Sequence, residues 1–379
     1  MGAVTETHKI AFFGLDRQYA RYRREFLDIA DRVLASGAVL QGKEVAEFEA
    51  AVAQAIGRRH VVAVGSCTDA LAFALLANGV QPGDEVIVSC FSFFASASPI
   101  LRIGAIPRFA DIDGSSYMMD LSRLEALITP RTRAILAVHI FGQTLPMAAV
   151  EAFAAHHGLA LVEDAAQALG ARDGSRPAGS MGKVSCLSFD PTKVIGAFGS
   201  AGALGTDDEE IAGHARTLRY HGRDPGTRQY IRVGFNSQLS SESAAMLTFK
   251  LAHMAEWEAD RARVADIYCR GLVGLPGLLL PTIRGDSTHN WHKFVIRSTE
   301  RDALAAHLQK RGISTMIHYP RLMCDEPVVA ASGIATPNLP VARGAVDQVL
   351  SLPMYPDLTD AEAGAVVDAV QSFFDGRRA

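Results

Sequence analysis

Short apolar segments alternate with helix-like segments between residues 60 and 162, and this alternation restricts the fold more than any other feature of the sequence. Parallel strands need crossover connections, which are usually helices. The alternation therefore predicts an α/β fold, with a mostly parallel sheet that is covered by helices on both faces. The predicted strands span residues 60–64, 85–89, 106–110, 134–138 and 160–162, and the predicted helices between them span residues 69–76, 95–103, 122–128 and 147–157.

The flanking regions follow a different pattern. Two helices are predicted before the alternation, over residues 16–35 and 44–56, from apolar residues at helical spacing. We predict a large domain over residues 1–255, which includes this N-terminal helical segment, and a smaller α+β domain over residues 256–379. After about residue 236 the predicted elements are a long helix over 240–268, a strand over 292–297, a helix over 301–310, a strand over 314–318 and a final helix over 360–374.

The charge and cysteine content exclude several functional classes. The 379 residues carry a net charge of −4, which gives no indication of nucleic acid as a partner. The apolar stretch 86–101 is shorter than the ~20 residues that a membrane helix needs, and no secretory signal is expected at the N-terminus. The five cysteines are odd in number and scattered, with no C-x-x-C pair, so we expect reduced thiols, no metal site and a cytoplasmic location.

An acidic residue and a lysine follow two of the apolar runs. Asp164 lies just after the predicted strand 160–162, and Lys193 follows the apolar segment that ends near Ser188. Pyridoxal phosphate (PLP) chemistry needs a carboxylate that pairs with the protonated pyridine nitrogen and an amine that forms a Schiff base and moves a proton. The pair therefore predicts a PLP-dependent enzyme, with Asp164 and Lys193 as catalytic residues.

Residues 64–71 predict a strand, a tight turn and a helix start. A helix N-terminus offers free N–H groups and a positive dipole end, which suit a phosphate. Cys67 and Thr68 are the candidate donors, and the alternative is a plain helix cap formed by Ser66 or Thr68. Phe93, beyond the strand 85–89, is a candidate for stacking on a planar cofactor ring. Core packing is the alternative for Phe93, and it is the preferred interpretation for Phe91 and Phe94.

The remaining candidates also have ordinary structural explanations. Asp164 can cap the next turn, Gln167 can be a surface residue, Ser188 a strand residue and Lys193 a solvated loop lysine. Their joint occurrence at strand ends of one predicted sheet favours the functional interpretation.

In these motifs the chain resembles PLP-dependent nucleotide-sugar aminotransferases of the DegT/StrS type, which have the aspartate-aminotransferase fold (the PLP-dependent transferase type I fold). The resemblance extends over nearly the whole length, and its ordered set of motifs is specific although each single motif is not. The motifs lie at residues 42–49, 65–71, 82–88, 138–142, 163–167, 188–193, 234–236 and 318–320.

The resemblance implies a role for each matching residue. Lys193 resembles the Schiff-base lysine, Asp164 the partner of the pyridine nitrogen, and Gln167 the group near the ring hydroxyl. Relatives that dehydrate sugars carry histidine at the lysine position, so Lys193 favours transamination. Phe93 resembles the stacking aromatic residue, and the residues that match phosphate ligands are Cys67, Thr68, Ser188 and, from the neighbouring subunit of a homodimer with shared active sites, Asn236.

The resemblance further implies that an amino acid, with glutamate favoured, donates an amino group through PLP and pyridoxamine phosphate to a keto-sugar, which is expected to be nucleotide-linked. The alternatives are a cyclitol ketone as the acceptor, or a non-catalytic PLP-binding regulatory protein. Candidate substrate-binding residues are His318, Tyr319 and Arg219.

The sequence departs from the family pattern at several positions. Asp190 stands where relatives often have tyrosine, residues 199–202 replace an acidic glycine-rich run, and Leu145 and Pro146 replace a common aspartate. Gln238 stands where an arginine is common, and we expect Arg219 or Arg232 to supply the missing positive charge. The alternatives are a less anionic ligand at this site, or a purely structural role for the family arginine.

Overall fold

The computed structural model describes residues 9–335 and 337–376. Residues 1–8 of the predicted large domain, and Thr336 and residues 377–379 of the predicted small domain, lie outside the described residues. The strands of the first part of the chain are β1 His60–Val64, β2 Glu85–Ser89, β3 Ile106–Ala110, β4 Thr132–Val138, β5 Ala160–Asp164, β6 Arg172–Asp173, β7 Arg176–Pro177, β8 Val184–Ser188 and β9 Gly202–Thr206.

A seven-stranded sheet forms the centre of the molecule, in the order β1-β9-β8-β5-β4-β2-β3. Strand β9 is antiparallel to both neighbours, and the other four pairs are parallel. The predicted mostly parallel sheet is therefore confirmed. Strands β1, β2, β4, β5 and β8 run in the same direction, so their carboxyl ends share one edge of the sheet.

Helices cover both faces of this sheet, as predicted. In β1, Val62 and Val64 join a core cluster with the helix that follows, whereas Val61 and Ala63 join a second cluster with helices from before and after the sheet. This is the period of two expected for a strand that is buried on both faces. The helices of this part are α1 Leu15–Arg21, α2 Arg23–Ser36, α3 Lys43–Ile56, α4 Cys67–Ala77, α5 Ser98–Arg102, α6 Met147–His156, α7 Glu209–Leu218 and α8 Ser241–Ala252, with 3₁₀ turns at Phe94–Ser96 and Leu121–Leu127.

A second, smaller unit follows α8. Its three-stranded sheet is antiparallel and packs with helices around a separate core that is formed by Ile10 and residues 264–374. The predicted boundary at residue 255 falls at the start of α9 and stays a prediction. The elements are α9 Met254–Leu272, β10 Leu278–Leu279, β11 Phe294–Ser298, α10 Arg301–Lys310, a 3₁₀ turn Met323–Asp325, α11 Pro327–Ala331, α12 Pro340–Val346, β12 Val349–Leu352 and α13 Asp360–Asp375.

Five predicted elements are wrong in detail. The predicted helix 95–103 divides at Ala97 into the 3₁₀ turn Phe94–Ser96 and α5 Ser98–Arg102. The long helix 240–268 is broken at His253, whose backbone (φ −94°, ψ 2°) leaves the helical region. The break lets α8 pack on α3 while α9 packs on α13. The helix 16–35 is broken in the same way at Tyr22, and the segment 122–128 forms a 3₁₀ helix. The predicted strand 314–318 is absent from the described fold, where Ile313 and Met316 form isolated bridges with Ile10 and Ser351.

Within the described parts of the chain, no helix combines the length and apolar character that a membrane span requires.

Candidate active site

A cavity of about 420 Å³ opens at the carboxyl edge of the central sheet, between the sheet and the smaller unit. A crevice at this edge is the common binding site of open α/β sheets. Most of the candidate residues from the sequence line this cavity, namely Cys67, Thr68, Phe93, Asp164, Gln167, Ser188, Lys193, His318 and Tyr319.

Asp164 is the last residue of β5, and its carboxylate is only 3% exposed. Oδ2 accepts a hydrogen bond of 2.7 Å from Ser96 Oγ, and Oδ1 accepts one of 3.2 Å from the Ala166 N–H. Burial raises the pKa of Asp164, while these hydrogen bonds and the nearby Lys193 act in the opposite direction. A buried carboxylate of this kind is stabilised by a cationic partner inside the cavity.

Lys193 lies in the loop between β8 and β9, where its backbone N–H donates to the Asp190 carbonyl at 2.9 Å. Burial lowers the pKa of the Lys193 ammonium, and Asp190 and Asp164 partly offset this effect. A lowered pKa increases the fraction of neutral amine, which is the nucleophilic form. Lys193 therefore has the environment of a reactive lysine.

The turn between β1 and α4 places the N-terminus of α4 at the cavity. Ser66 is the helix cap, because its Oγ accepts a hydrogen bond of 3.1 Å from the Asp69 N–H. The first intrahelical bond is donated by the Ala70 N–H, to the Ser66 carbonyl. The N–H groups of Cys67 and Thr68 come before these donors in the chain, so the helix itself offers them no acceptor. Both residues line the cavity.

Aromatic and amide groups complete the floor of the cavity. Phe93 is 57% exposed, which is unusual for a large apolar ring and leaves a face open to the cavity. Gln167 is fixed at both ends: its Oε1 accepts from the Phe141 N–H at 2.9 Å, and its Nε2 donates to the Tyr319 hydroxyl at 3.2 Å. Ser188 Oγ accepts a weaker bond of 3.3 Å from the Asp190 N–H.

The opposite wall comes from the smaller unit. His318 pairs its Nδ1 with Ser351 Oγ at 2.8 Å, and burial lowers the pKa of His318 to about 3. Burial also raises the pKa of Tyr319 above its ordinary value. Both side chains are therefore neutral near pH 7 and contribute hydrogen bonds rather than charge.

Two candidate residues lie outside the cavity. Asn236 is exposed, and its Oδ1 accepts a hydrogen bond of 3.4 Å from Gln238 Nε2. Arg219 is committed elsewhere, because its guanidinium pairs with Glu49 at 2.6 Å and donates to the Ala63 carbonyl at 2.9 Å. The structure therefore does not bring Arg219 to the predicted substrate site within this chain.

Arg232 does not supply the charge missing at Gln238 within this chain either. Its Nη1 donates to Thr217 Oγ1 at 2.9 Å, and neither Arg232 nor Arg219 lines the cavity.

The sequence analysis missed several side chains that line the cavity. Ser96 lies three residues after Phe93 on the same 3₁₀ turn, and this spacing was the available signal. Lys293 directly precedes β11, where a charged residue next to an apolar strand was the signal. The other missed lining residues with polar side chains are Ser92, Thr192, Ser200 and His292.

The residues present fit PLP. Burial raises the pKa of the Asp164 carboxyl group, and a protonated ring nitrogen beside it would offset this cost and favour the carboxylate. The N–H groups at the start of α4 suit a phosphate. The open face of Phe93 suits a planar ring. Gly202 of β9 supports this arrangement, since a Cβ there would lie 2.3 Å from the Cys67 nitrogen. Glycine at this position therefore allows β9 to approach the start of α4 closely, so the backbone as well as the side chains shapes the site.

Residues 21–371 match the model of the DegT/DnrJ/EryC1/StrS aminotransferase family. A dTDP-3-amino-3,4,6-trideoxy-alpha-D-glucose transaminase from Streptomyces venezuelae is 40% identical over 98% of this chain and 98% of its own. A pleiotropic regulatory protein from Geobacillus stearothermophilus is 38% identical over 96% of this chain and 98% of its own.

Solved structures with the same fold include enzymes of this kind. The S. venezuelae DesV structure has a TM-score of 0.94 at 40% identity, covering 97% of this chain and 99% of that chain. The structure of NtdA from Bacillus subtilis with bound cofactor PMP has a TM-score of 0.91 at 31% identity, covering 99% of this chain and 87% of that chain.

Proposed function

Because this chain belongs to the DegT/DnrJ/EryC1/StrS aminotransferase family and is a PLP-dependent aminotransferase, we propose that it transfers the amino group of an amino acid to the ketone of a nucleotide-linked sugar. The observation that carries the proposal is the position of Asp164 and Lys193 in one cavity at the carboxyl edge of the sheet. The substrate class is supported by the dTDP- and UDP-sugar transaminases among its relatives.

When bound, PLP supplies the electron sink that makes the hydrogen on the substrate carbon acidic. In our proposal Lys193 would hold the cofactor covalently, and its amine, once displaced by the incoming amino group of the donor, would move the proton; Lys193 lines the cavity and burial lowers its pKa. Asp164 holds the pyridine nitrogen in its protonated form through a charge-assisted hydrogen bond in a buried site.

The other walls orient the cofactor in this proposal. Cys67, Thr68 and Ser188 bind the phosphate, Phe93 packs on the ring and Gln167 contacts the ring hydroxyl. This assignment is supported by the helix end at Cys67, by the exposed ring of Phe93 and by the hydrogen bonds that fix Gln167.

Neutral groups of the smaller unit contact the keto-substrate in this proposal. His318 and Tyr319 line the cavity opposite the sheet, and they can donate or accept hydrogen bonds to sugar hydroxyls. Glutamate is the proposed donor.

The test is a two-stage amine transfer. Holoenzyme is incubated with ¹⁵N-glutamate, freed of small molecules and mixed in parallel with dTDP-linked keto-sugars, UDP-linked keto-sugars or a cyclitol ketone. We expect a ¹⁵N-labelled amino sugar in the mass spectrum of at least one mixture. Label in a cyclitol amine alone would favour the cyclitol alternative.

A regulatory, non-catalytic protein is the second candidate, and the 38% identity to a pleiotropic regulatory protein is the observation that favours it. It predicts bound PLP but no ¹⁵N capture from any amino-acid donor. Capture of ¹⁵N by the protein would exclude it.

We also propose a homodimer in which Asn236 reaches the cofactor phosphate of the neighbouring subunit. Support comes from the exposed position of Asn236 and from large apolar side chains that are exposed shortly before it in the chain, where Tyr230 is 71% and Val233 is 93% exposed. Mixing Lys193→Ala with Asn236→Asp subunits should restore about a quarter of wild-type activity, because half the dimers are mixed and each has one intact site. No rescue after confirmed subunit exchange would place Asn236 within its own chain.

A cytoplasmic location is the last element of the proposal. It is supported by the five cysteines, all of which are free thiols and four of which are buried.

A further inference from the structure

Lys293 is a second lysine of the cavity, and the family resemblance gave it no role. The residue is only 5% exposed and lines the cavity together with Lys193. Its Nζ lies 4.5 Å from the ring centroid of Phe13 and 5.4 Å from that of Phe12. Among residues 9–335 and 337–376, no carboxylate forms an ion pair with it. Buried ammonium groups are usually paired, so this arrangement indicates a missing anion.

The charges around Lys293 strengthen this indication. Lys193 and Arg261 are cationic neighbours, whereas Asp190 is the one acidic neighbour. Burial and the two cations lower the pKa of Lys293 well below its ordinary value. The Asp190 carboxylate already accepts a hydrogen bond of 2.7 Å at its Oδ1 from Thr192 Oγ1. An anion in the cavity would therefore offset both the burial and the repulsion.

Neutral groups cannot replace Lys293 on this wall. His318 has a pKa of about 3 and Tyr319 a raised pKa, so both are uncharged near neutral pH. Apart from Lys193, Lys293 is the lysine of the described cavity lining, and an anion beside its Nζ would favour the ammonium form that burial opposes.

We propose that Lys293 binds a carboxylate of the substrate through its Nζ, next to the carbon that reacts at Lys193. The inference rests on the proposed function, because it takes this cavity as the substrate site. The carboxylate can come from the amino-acid donor or from an acidic keto-sugar. Both sources have the same chemistry, a charge-assisted hydrogen bond in a site shielded from water.

A purely structural role is the competing explanation, because the ammonium also packs on two phenyl rings. Lys293→Met keeps the length and apolar stem of the side chain but removes the charge. Lys293→Arg keeps the charge and the cation–π contacts. Lys183→Met is the matched control, since Lys183 lies outside the cavity and pairs with Asp208 at 3.6 Å.

The experiment measures binding of unreactive probes to each holoenzyme by calorimetry. Glutarate stands for the donor and UDP-glucuronate for an acidic sugar, and their uncharged counterparts are glutaramide and UDP-glucose. We expect Lys293→Met to weaken one or both carboxylate probes about tenfold or more, and to leave the uncharged probes within about twofold. Lys293→Arg should retain most of the binding, and Lys183→Met should behave like the wild type.

The pattern of losses identifies the source of the carboxylate. Weakening of glutarate assigns Lys293 to the donor, and weakening of UDP-glucuronate alone assigns it to the acceptor. Equal weakening of charged and uncharged probes would show a packing role and overturn the inference. So would unchanged binding in Lys293→Met, or a wild type that binds neither carboxylate. Failure of the proposed function is separate, because it appears as absent amino transfer in the wild type.

Discussion

The cavity has two walls that are built in different ways. The sheet wall carries Asp164 directly at a strand end, as the last residue of β5, in a backbone frame that hydrogen bonds fix. The wall from the smaller unit is formed by residues 292–293 and 316–319, which lie in segments between elements and are brought in by a separate core. In our proposal the reaction resides in the sheet wall, whereas substrate choice resides in the wall from the smaller unit, the added wall.

The walls also differ in how their charges are satisfied. Asp164 has two hydrogen-bond donors and a nearby lysine, whereas Lys293 has aromatic faces and cationic neighbours. A variant in the sheet wall should therefore change the reaction rate, and a variant in the other wall should change substrate affinity.

The largest effect is expected for Lys193→Ala, which removes both the covalent attachment and the proton transfer. Amino transfer should fall by at least about 10³-fold, while the fold is retained. Steady-state assays with purified protein measure this, and Lys183→Ala serves as the control. Residual turnover near wild type would place the reaction elsewhere in the molecule.

Asp164→Asn should give the next largest effect. The amide keeps the size of the side chain but cannot hold a protonated pyridine nitrogen by charge. We expect retention of the cofactor, seen in the visible band, and a rate loss of roughly 10²-fold, equal to about 2.7 kcal/mol. A near-normal rate would remove Asp164 from the mechanism and break the contrast between the two walls.

Ser96→Ala tests whether the sheet wall is positioned by its neighbours. Ser96 donates to Asp164 Oδ2, and the loss of one such bond to a carboxylate costs about 1.5 kcal/mol, or roughly tenfold in rate. The fall should occur in kcat, with the KM for glutamate little changed, and Ser96→Thr should restore part of it. Equal losses in both variants would indicate a packing role instead.

The smallest effect concerns the support of the added wall. Glu362 of α13 pairs with Arg17 of α1 and accepts from the Thr359 N–H, and the Arg17 pair lowers the pKa of Glu362 to about 2. Glu362→Gln should reduce the free energy of unfolding by about 0.5–1 kcal/mol near neutral pH. The matched control is Glu47→Gln on α3, an exposed site.

The pH dependence of this difference has a defined sign. A carboxyl group whose pKa is lowered by folding stabilises the protein above its unfolded pKa, here about 4.5, and loses that contribution as pH falls toward 2. Urea titrations should therefore show the wild-type advantage above pH 4.5 and its disappearance toward pH 2. A difference that does not vary with pH would assign the effect to the helix cap.

The two walls also differ in how well their residues could be predicted from the sequence. Strands β1 and β2 are dense in β-branched residues, and β5 begins with the apolar run Ala-Leu-Val, so the ends of these strands, and with them Asp164, were predictable. Strand β9 has the sequence Gly-Ala-Leu-Gly-Thr, which has a weak strand propensity. It forms because β1 and β8 pair with it on both sides, and this tertiary constraint leaves no local signal.

The added wall was the least predictable part of the site. His318 and Tyr319 came only from the family resemblance, and Lys293 was missed because its burial depends on Phe12 and Phe13, far away in sequence. Arg219 lies outside the cavity of its own chain for a similar reason, since its partner Glu49 lies on α3. Contacts between distant segments are not encoded in a local pattern.

The position of the covalent attachment tests the central claim most directly. Holoenzyme is reduced with borohydride and digested, and the peptide that carries the cofactor is sequenced by mass spectrometry. The account predicts a single modified residue, Lys193, and no modification in Lys193→Ala. Attachment at Lys293 instead, or an unchanged yield in Lys193→Ala, would contradict the assignment of the reaction to the sheet wall.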